Sequence, residues 1–351
     1  MALVAPPGVL GTWAFDLLRE ACSLVGDQIT ARLVDRLDEV EGLGEASGRP
    51  RMLCLSQFTS ASLRTAMAAG AIPIVVFLDD PIDSVRYLKF ASGCSTLEAL
   101  RIQTAAAVSS AFLCGNPTAL AIDRATSGRA RDTVLRILDH LELDLLPSAF
   151  EILLGKFAGP ESEQASLEAR LARHVAGYAP LEAASTELAP REAEIVNRAL
   201  APIVQMSRSP DPAPIVWPTS VFFSGDQPGS PAALVADVTG GARILYYGPY
   251  FHLPRGNWGA RLMIGFTEDA RGIPFSIEVH AGLLLARATM QSIGKGVFHA
   301  SFQFAHEAPQ NPVEIQVRSD QGAIGGKVAL GRVEFNLLPA GSPVAGLNQS
   351  R

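Results

Sequence analysis

Two stretches of the chain bring together residue types that could do chemistry. The first is Pro7-Gly8-Val9-Leu10-Gly11-Thr12-Trp13, which follows a short apolar run and opens a stretch of helical period. Backbone N–H groups at such a strand-to-helix turn can hold a phosphate, so Gly8, Gly11 and Thr12 are the candidate donor-binding residues if the chain binds a donor at all. The second is Tyr246-Tyr247-Gly248-Pro249-Tyr250-Phe251-His252-Leu253-Pro254-Arg255-Gly256-Asn257-Trp258, an aromatic concentration in a chain that is only 7% aromatic. The apolar face of a pyranose can lie on a ring while polar side chains bond its hydroxyls. Tyr250, His252, Arg255, Asn257 and Trp258 are therefore candidate contacts to a carbohydrate or a protein partner. A plainer reading makes Leu253 to Gly256 a turn and Trp258 a plug at one end of a sandwich.

A catalytic base is harder to find. His140 and His174 lie within helical stretches and read as surface or capping residues, and Asp79 and Asp80 have no histidine near them in sequence. His280, His299 and His306 lack metal-ligand spacing and read as paired polar residues. No G-x-x-x-x-G-K-[ST], H-E-x-x-H, G-x-S-x-G or G-x-G-x-x-G occurs. The expectation is no catalytic residue, no metal and no cofactor.

These stretches need elements to position them. At 351 residues the prior is two domains, each able to bury its own core. Hydrophobic residues make up 48% and charged residues 18%, as in ordinary folded proteins. The formal net charge is -6 and no run of Lys/Arg forms a stripe, which argues against nucleic acid and anionic membrane as partners. Cys22, Cys54, Cys94 and Cys114 sit mostly in apolar surroundings without a C-x-x-C, so free thiols in a reducing compartment are expected. The start MALVAPPGVLG has neither the basic residues nor the apolar run of a signal peptide, and no run is long enough for a membrane span. A cytoplasmic, bacterial setting is the default.

The first eighty or so residues read strand, helix, strand, helix, strand, with the strands at Met1 to Ala5, Met52 to Leu55 and Ile72 to Leu78. Ile72 to Leu78 is apolar and largely β-branched, as an interior parallel strand requires. From Asp83 to about Val204 the pattern is almost wholly helical. Seven prolines between Pro202 and Pro231 mark a joint, placed at residues 205–232. The period then changes to two, with eight candidate strands from Ala233 to Leu337 separated by mostly Gly-, Pro- or Asn-containing turns. Such spacing argues for an antiparallel β-sandwich over 233–338, followed by a flexible tail at 339–351.

The first motif resembles the phosphosulfate loop of the sulfotransferase family, P-K-x-G-T-T-W after the first strand. The Pro-to-Trp spacing and the Thr-Trp pair are kept, but Gly8 stands at the lysine position, and Leu10 and Gly11 stand where the family has Gly and Thr. The family's second signature, R-x-P-x-D with a serine eight residues on, grips a 3′-phosphate. Its match is Asp79-Asp80-Pro81-Ile82-Asp83, with Tyr87 at the serine position. An Asp about 4 Å from a phosphate at an effective dielectric near 20 is repelled by roughly 4 kcal/mol per unit charge. The resemblance thus implies a sulfotransferase-like, helix-rich α/β domain over 1–204 that has lost the usual nucleotide grip; a doubly wound opening of another kind remains the alternative.

The second stretch and the strands around it resemble a β-sandwich module that accompanies glycosyltransferase and polysaccharide-biosynthesis proteins in proteobacteria, whose form is G-P-Y-x-x-L-P-x-G-x-W/Y. That implies a carbohydrate-linked context and partners that are a glycan or a polysaccharide-biosynthesis protein; homo-oligomerisation is left open. Together the two resemblances imply an accessory protein without catalysis, acting in bacterial extracellular-polysaccharide or glycan production. An active sulfotransferase-type enzyme with an altered donor site and a structural scaffold are the competing expectations.

Overall fold

Alternation of apolar side chains along β1 (Ala2–Val4) fixes the first layer: Leu3 faces one side of a sheet, Ala2 and Val4 the other, and all three are buried. The computed structural model describes residues 1–26, 29–41, 51–70, 72–159, 165–174, 187–209 and 212–339. The part of the polar joint expected after Glu41 that spans 42–50, and the tail from 340 on, lie outside these residues. The described chain divides into two compact units, Met1–Val196 and Asn197–Arg351.

In the first unit β1 leads to α1 (Val9–Val25), β2 (Ile29–Leu33), α2 (Asp38–Glu41), β3 (Arg51–Ser56), α3 (Ala61–Ala69) and β4 (Ile74–Leu78). Then come α4 (Pro81–Ser92), α5 (Thr96–Cys114), β5 (Ala119–Asp123), α6 (Ala130–His140), α7 (Pro147–Phe157) and α8 (Leu167–His174). The strands pair in parallel in the order β2-β3-β1-β4-β5. Side chains of α1, α6, α7 and α8 cover Leu3, Leu53, Leu55, Val75, Phe77 and Ile122 on one face. On the other face, Leu63 and Met67 of α3 and Leu113 of α5 pack on Ala2, Val4, Cys54, Ile74 and Val76. This is the expected parallel-sheet α/β class, with two strands more than the sequence showed. β2 and β5 are the sheet's two edges, and their partly exposed residues break the apolar run that marks β4.

After α9 (Pro190–Ala199) and α10 (Ala201–Met206) the second unit is antiparallel throughout. Its strands are β6 (Ile215–Pro218), β7 (Phe223–Ser224), β8 (Val235–Asp237), β9 (Arg243–Phe251), β10 (Gly256–Phe266), β11 (Pro274–His280), β12 (Leu284–Gln291), β13 (Gly296–His306), β14 (Val313–Ser319) and β15 (Lys327–Leu337). One sheet runs β13-β10-β15-β6, with β8 also on β15; the other runs β12-β11-β14-β9-β7. Between them lie Trp217, Tyr246, Phe251, Trp258, Phe275, Phe304 and Phe335, all buried. Trp217 packs with its ring centroid 4.4 Å from that of the tilted Phe335 ring and 5.6 Å from that of Phe251, which it meets edge to face. The sandwich is the expected one, and each of the eight candidate strands has its counterpart.

The stretch read as a Pro-rich joint is in part a piece of this sandwich. Ile215 and Trp217 alternate into the core, β6 pairs with Arg332 to Phe335, and Phe223 and Ser224 pair with Tyr247 and Tyr246. The prolines outweighed a short period-two signal, and Pro218 is tolerated because β6 has a partner on one side only.

Candidate functional site

β1 and β4 are neighbours whose onward connections diverge, β1 towards β2 and β4 towards β5. In a doubly wound sheet the ligand crevice lies outside the carboxyl ends of such a pair. Here the chain places its own carboxylate there. Asp79, one residue past β4 and buried, accepts from Leu10 N at 3.4 Å through Oδ2 and from Asp80 N at 2.8 Å through Oδ1. The N-terminus of α1 has no side-chain cap of its own, since Gly8 stands at the cap position in extended backbone. Asp79 thus meets the positive end of α1 where an anion would.

Arg124, just past β5, completes the arrangement. Its guanidinium donates to Asp79 Oδ1 at 2.8 Å, to Asp83 Oδ2 at 2.8 Å, and by a two-pronged contact to Glu168 at 2.8 and 2.6 Å. Burial pushes the Asp79 carboxyl up from its ordinary value, while Arg124 beside it pulls the other way. Because every group bonded to the Asp79 oxygens is a donor, we hold the pair to be ionised, with Arg124 held above its ordinary value by the carboxylates against its own desolvation.

The three candidate donor-binding residues are drawn into this closure. A Cβ on Gly8 would lie 2.6 Å from Asp79 Oδ2, so a side chain there, lysine included, collides with the carboxylate. A Cβ on Gly11 would lie 2.4 Å from Pro6 O, so glycine lets α1 approach the preceding loop. Thr12 Oγ1 donates to Gly8 O at 2.9 Å and lies 3.2 Å from the Tyr87 hydroxyl. Sequence reasoning identified Asp79 as repelling phosphate but missed Arg124, because β5 had not been recognised. The two histidines of this unit are engaged: His140 Nε2 lies 3.0 Å from Ile74 O and 3.1 Å from Thr118 O, and His174 Nε2 lies 3.2 Å from Asp16.

In the second unit the five candidate contact residues part company. Trp258 is buried, with Nε1 donating to Pro254 O at 3.0 Å, so its expected role as a surface contact is corrected to that of a core plug. Arg255 pairs with Glu307 on an exposed turn, and Asn257 sits on β10 opposite Ala305. His252 Nδ1 lies 3.0 Å from Pro309 O. Tyr250 alone of the five lies on β9, its hydroxyl donating to Glu314 Oε1 at 3.0 Å.

Register shows what surrounds Tyr250. Arg287, Glu278, Gln316, Tyr247 and Phe223 are successive cross-strand partners on β12, β11, β14, β9 and β7, forming one row across the whole sheet on the face away from the core. The next residues of β11 and β14 on that face are His280 with Glu314 and Ser276 with Arg318. At one end the rings of Phe223 and Tyr247 lie 5.4 Å apart, and those of Tyr247 and Tyr250 6.3 Å. At the other end Glu278 is enclosed by His280 Nε2 at 3.0 Å, Arg287 Nε at 3.5 Å and Arg318 Nη1 at 3.7 Å. Rings at one end and fixed donors and acceptors at the other can stack on and hydrogen-bond a polyhydroxylated chain. The signal for this row was in the sequence as the polar positions of each alternating strand, but pairing them needed the register.

Among the described residues no group of three or more His, Cys, Asp or Glu could hold a metal, and no helix is long and apolar enough to cross a membrane.

No protein-family model and no curated protein matches the chain. Among solved structures, the mouse sulfotransferase SULT7A1 complexed with PAP is similar at 13% identity and a TM-score of 0.37, over 55% of this chain and 80% of that one. The module TmCBM61, in complex with β-1,4-galactotriose, is similar at 12% identity and a TM-score of 0.26, over 34% of this chain and 91% of that one. The C-terminal CBM6 of LamC from Zobellia galactanivorans is similar at 14% identity and a TM-score of 0.25, over 35% of this chain and 99% of that one. Likenesses at this level leave the functional reading to the residues themselves.

Proposed function

We propose that this chain is a glycan-binding accessory protein of bacterial polysaccharide production, without a catalytic step of its own, and that it takes the glycan on the outer face of the β12-β11-β14-β9-β7 sheet. The observation that carries this reading is the cross-strand row from Arg287 to Phe223, flanked by Tyr250 and Glu314. A sugar ring on Tyr247 or Tyr250 brings its hydroxyls towards Gln316 and Glu314, which lie on the neighbouring strand. The α/β unit contributes no donor site in this reading, since Asp79 and Arg124 fill the place where a nucleotide phosphate would be held.

The test is native electrophoresis of the full chain through gels containing soluble polysaccharides, with calorimetric titration of any polysaccharide that retards it. The expected outcome is retardation by at least one polysaccharide, weakened about tenfold or more in Tyr247→Ala and in Tyr250→Ala, since a stacked ring is worth on the order of 1 kcal/mol or more beyond its area. Retardation by none, or affinities unchanged in both variants, rejects the reading. Titration with 3′-phosphoadenosine 5′-phosphate is the companion measurement: micromolar binding would return the transferase reading to first place.

A further inference from the structure

The outermost strand of a sheet turns the N–H and C=O groups of alternate residues outward, where another chain can pair with them. Most sheet ends in the described chain are blunted against this. β2 carries Arg32, β5 Asp123 and β12 Arg287, β7 has two residues, and β6 has four and ends in Pro218. β13 has none of these devices. It runs for eleven residues, GVFHASFQFAH, without a proline, lysine, arginine or carboxylate. Among the described residues it pairs only with β10, from Gly256 with His306 to Phe266 with Gly296, and the register never shifts. The ladders of β10 with β15, β11 with β12 and β14 with β9 all carry a shift. Outside its own ladder, no backbone group of residues 296–306 has a hydrogen bond among the described residues.

The side chains of β13 are open as well. On its outer face Val297 is 68% exposed, and His299, Ser301 and Gln303 are exposed beside it. On the core side Phe304 is buried, but Phe298 and Phe302 are only partly covered. The strand is also its own complement. Antiparallel pairing of two copies over the full length sets Ser301 opposite Ser301, and then His299 opposite Gln303, Ala300 opposite Phe302, Val297 opposite Ala305 and Phe298 opposite Phe304. Alanine faces a larger side chain in two of these pairs, rings face each other in a third, and polar residues face polar ones in the rest. No charge meets its like, as a two-fold axis would force on a charged central residue. Such a pairing makes roughly ten backbone hydrogen bonds, about as many as an ordinary protein interface carries in all. We propose that β13 is a homodimer interface, at which two copies of this chain join edge to edge, antiparallel about Ser301, and merge their β13-β10-β15-β6 sheets. The glycan face proposed above lies on the other sheet of the sandwich, and the dimer does not depend on it.

The test is sedimentation equilibrium of the full chain from low to high micromolar concentration. The expected result is a reversible equilibrium of monomer and dimer, weakened about tenfold or more in Ser301→Lys, which sets like charges opposite each other at the two-fold axis. Register is read from two double variants, His299→Lys/Gln303→Lys and His299→Glu/Gln303→Glu. Each alone opposes like charges and is expected to stay monomeric, whereas a mixture of the two is expected to form a one-to-one heterodimer. That mixture decides the matter if Ser301→Lys does not fold. A wild-type chain that stays monomeric throughout, a dimer that these variants leave unchanged, or a mixture that does not associate overturns the proposal.

Discussion

The crevice at the carboxyl ends of β1 and β4 and the outer face of the β12-β11-β14-β9-β7 sheet use similar side chains to opposite ends. In the crevice an arginine and three carboxylates satisfy one another at 2.6 to 2.8 Å, and Arg124 and Asp79 are withdrawn from water. On the sheet face the contacts of Arg287 and Arg318 to Glu278 and Asp320 are looser, at 3.5 to 3.7 Å, and both arginines keep more than two fifths of their side-chain surface exposed. A tight, buried network specifies its own geometry and leaves nothing for a ligand to satisfy. A looser one, in which exposed arginines surround the buried Glu278, can exchange an arginine's protein partner for a ligand hydroxyl at little cost.

The sharpest way to break this comparison is to remove one charge from the tight side. Asp79→Ala leaves Arg124 buried beside a lost partner and α1 without its anion, and is expected to cost about 3–5 kcal/mol in urea unfolding. The Asp79→Ala/Arg124→Met double variant should recover much of that loss. A cost below about 1 kcal/mol for the single variant would mean that water, not the pair, fills the crevice.

Acid is the next lever, and it acts on the sandwich. His306 is buried with neither ring nitrogen in a hydrogen bond, and burial, aided by the nearby His252, pushes it down to about 4. Its folded value lies below the unfolded value of about 6.5, so the unfolded chain binds the extra proton between these limits. Stability is therefore complete above about pH 6.5 and falls by about 3 kcal/mol as pH drops to about 4. His306→Phe should flatten that part of the profile; an unchanged slope in urea titrations across this range would show that other groups set it.

Smaller effects sharpen the open side. Tyr247→Ala should change stability by no more than about 1–2 kcal/mol while weakening the proposed glycan contact, because the ring is only partly buried. Arg255→Ala, which removes an exposed pair with Glu307, should move stability by less than about 1 kcal/mol and leave glycan affinity as it was. Loss of binding in Arg255→Ala would shift the site to the turn that the sequence first pointed to.

That contrast also shows what the sequence could and could not disclose. Strands of the sandwich were legible where one face is buried and the other wetter, as along β14, so that alternation survives in the letters. β2 and β5 were not, since ITARL and ALAID sit at sheet edges and carry neither a full apolar run nor a clean alternation. Asp79 was found through its departure from a motif, but its partner Arg124 lies 45 residues on, a distance that only the sheet closes. Trp258 was singled out by residue type, and burial decided against it. The row from Arg287 to Phe223 is spread over five strands, so its members are neighbours only once each register is known.

Because the anion at the head of α1 is a side chain of the same chain, its effective concentration there is fixed by the fold and does not follow the solute pool of the cell. A helix end held by a dissociable phosphate gains stability as ligand rises and loses it as ligand is consumed, through mass action. Asp79 removes that dependence for this end of the unit. Any rise in melting temperature with added phosphate would therefore report on another place in the chain.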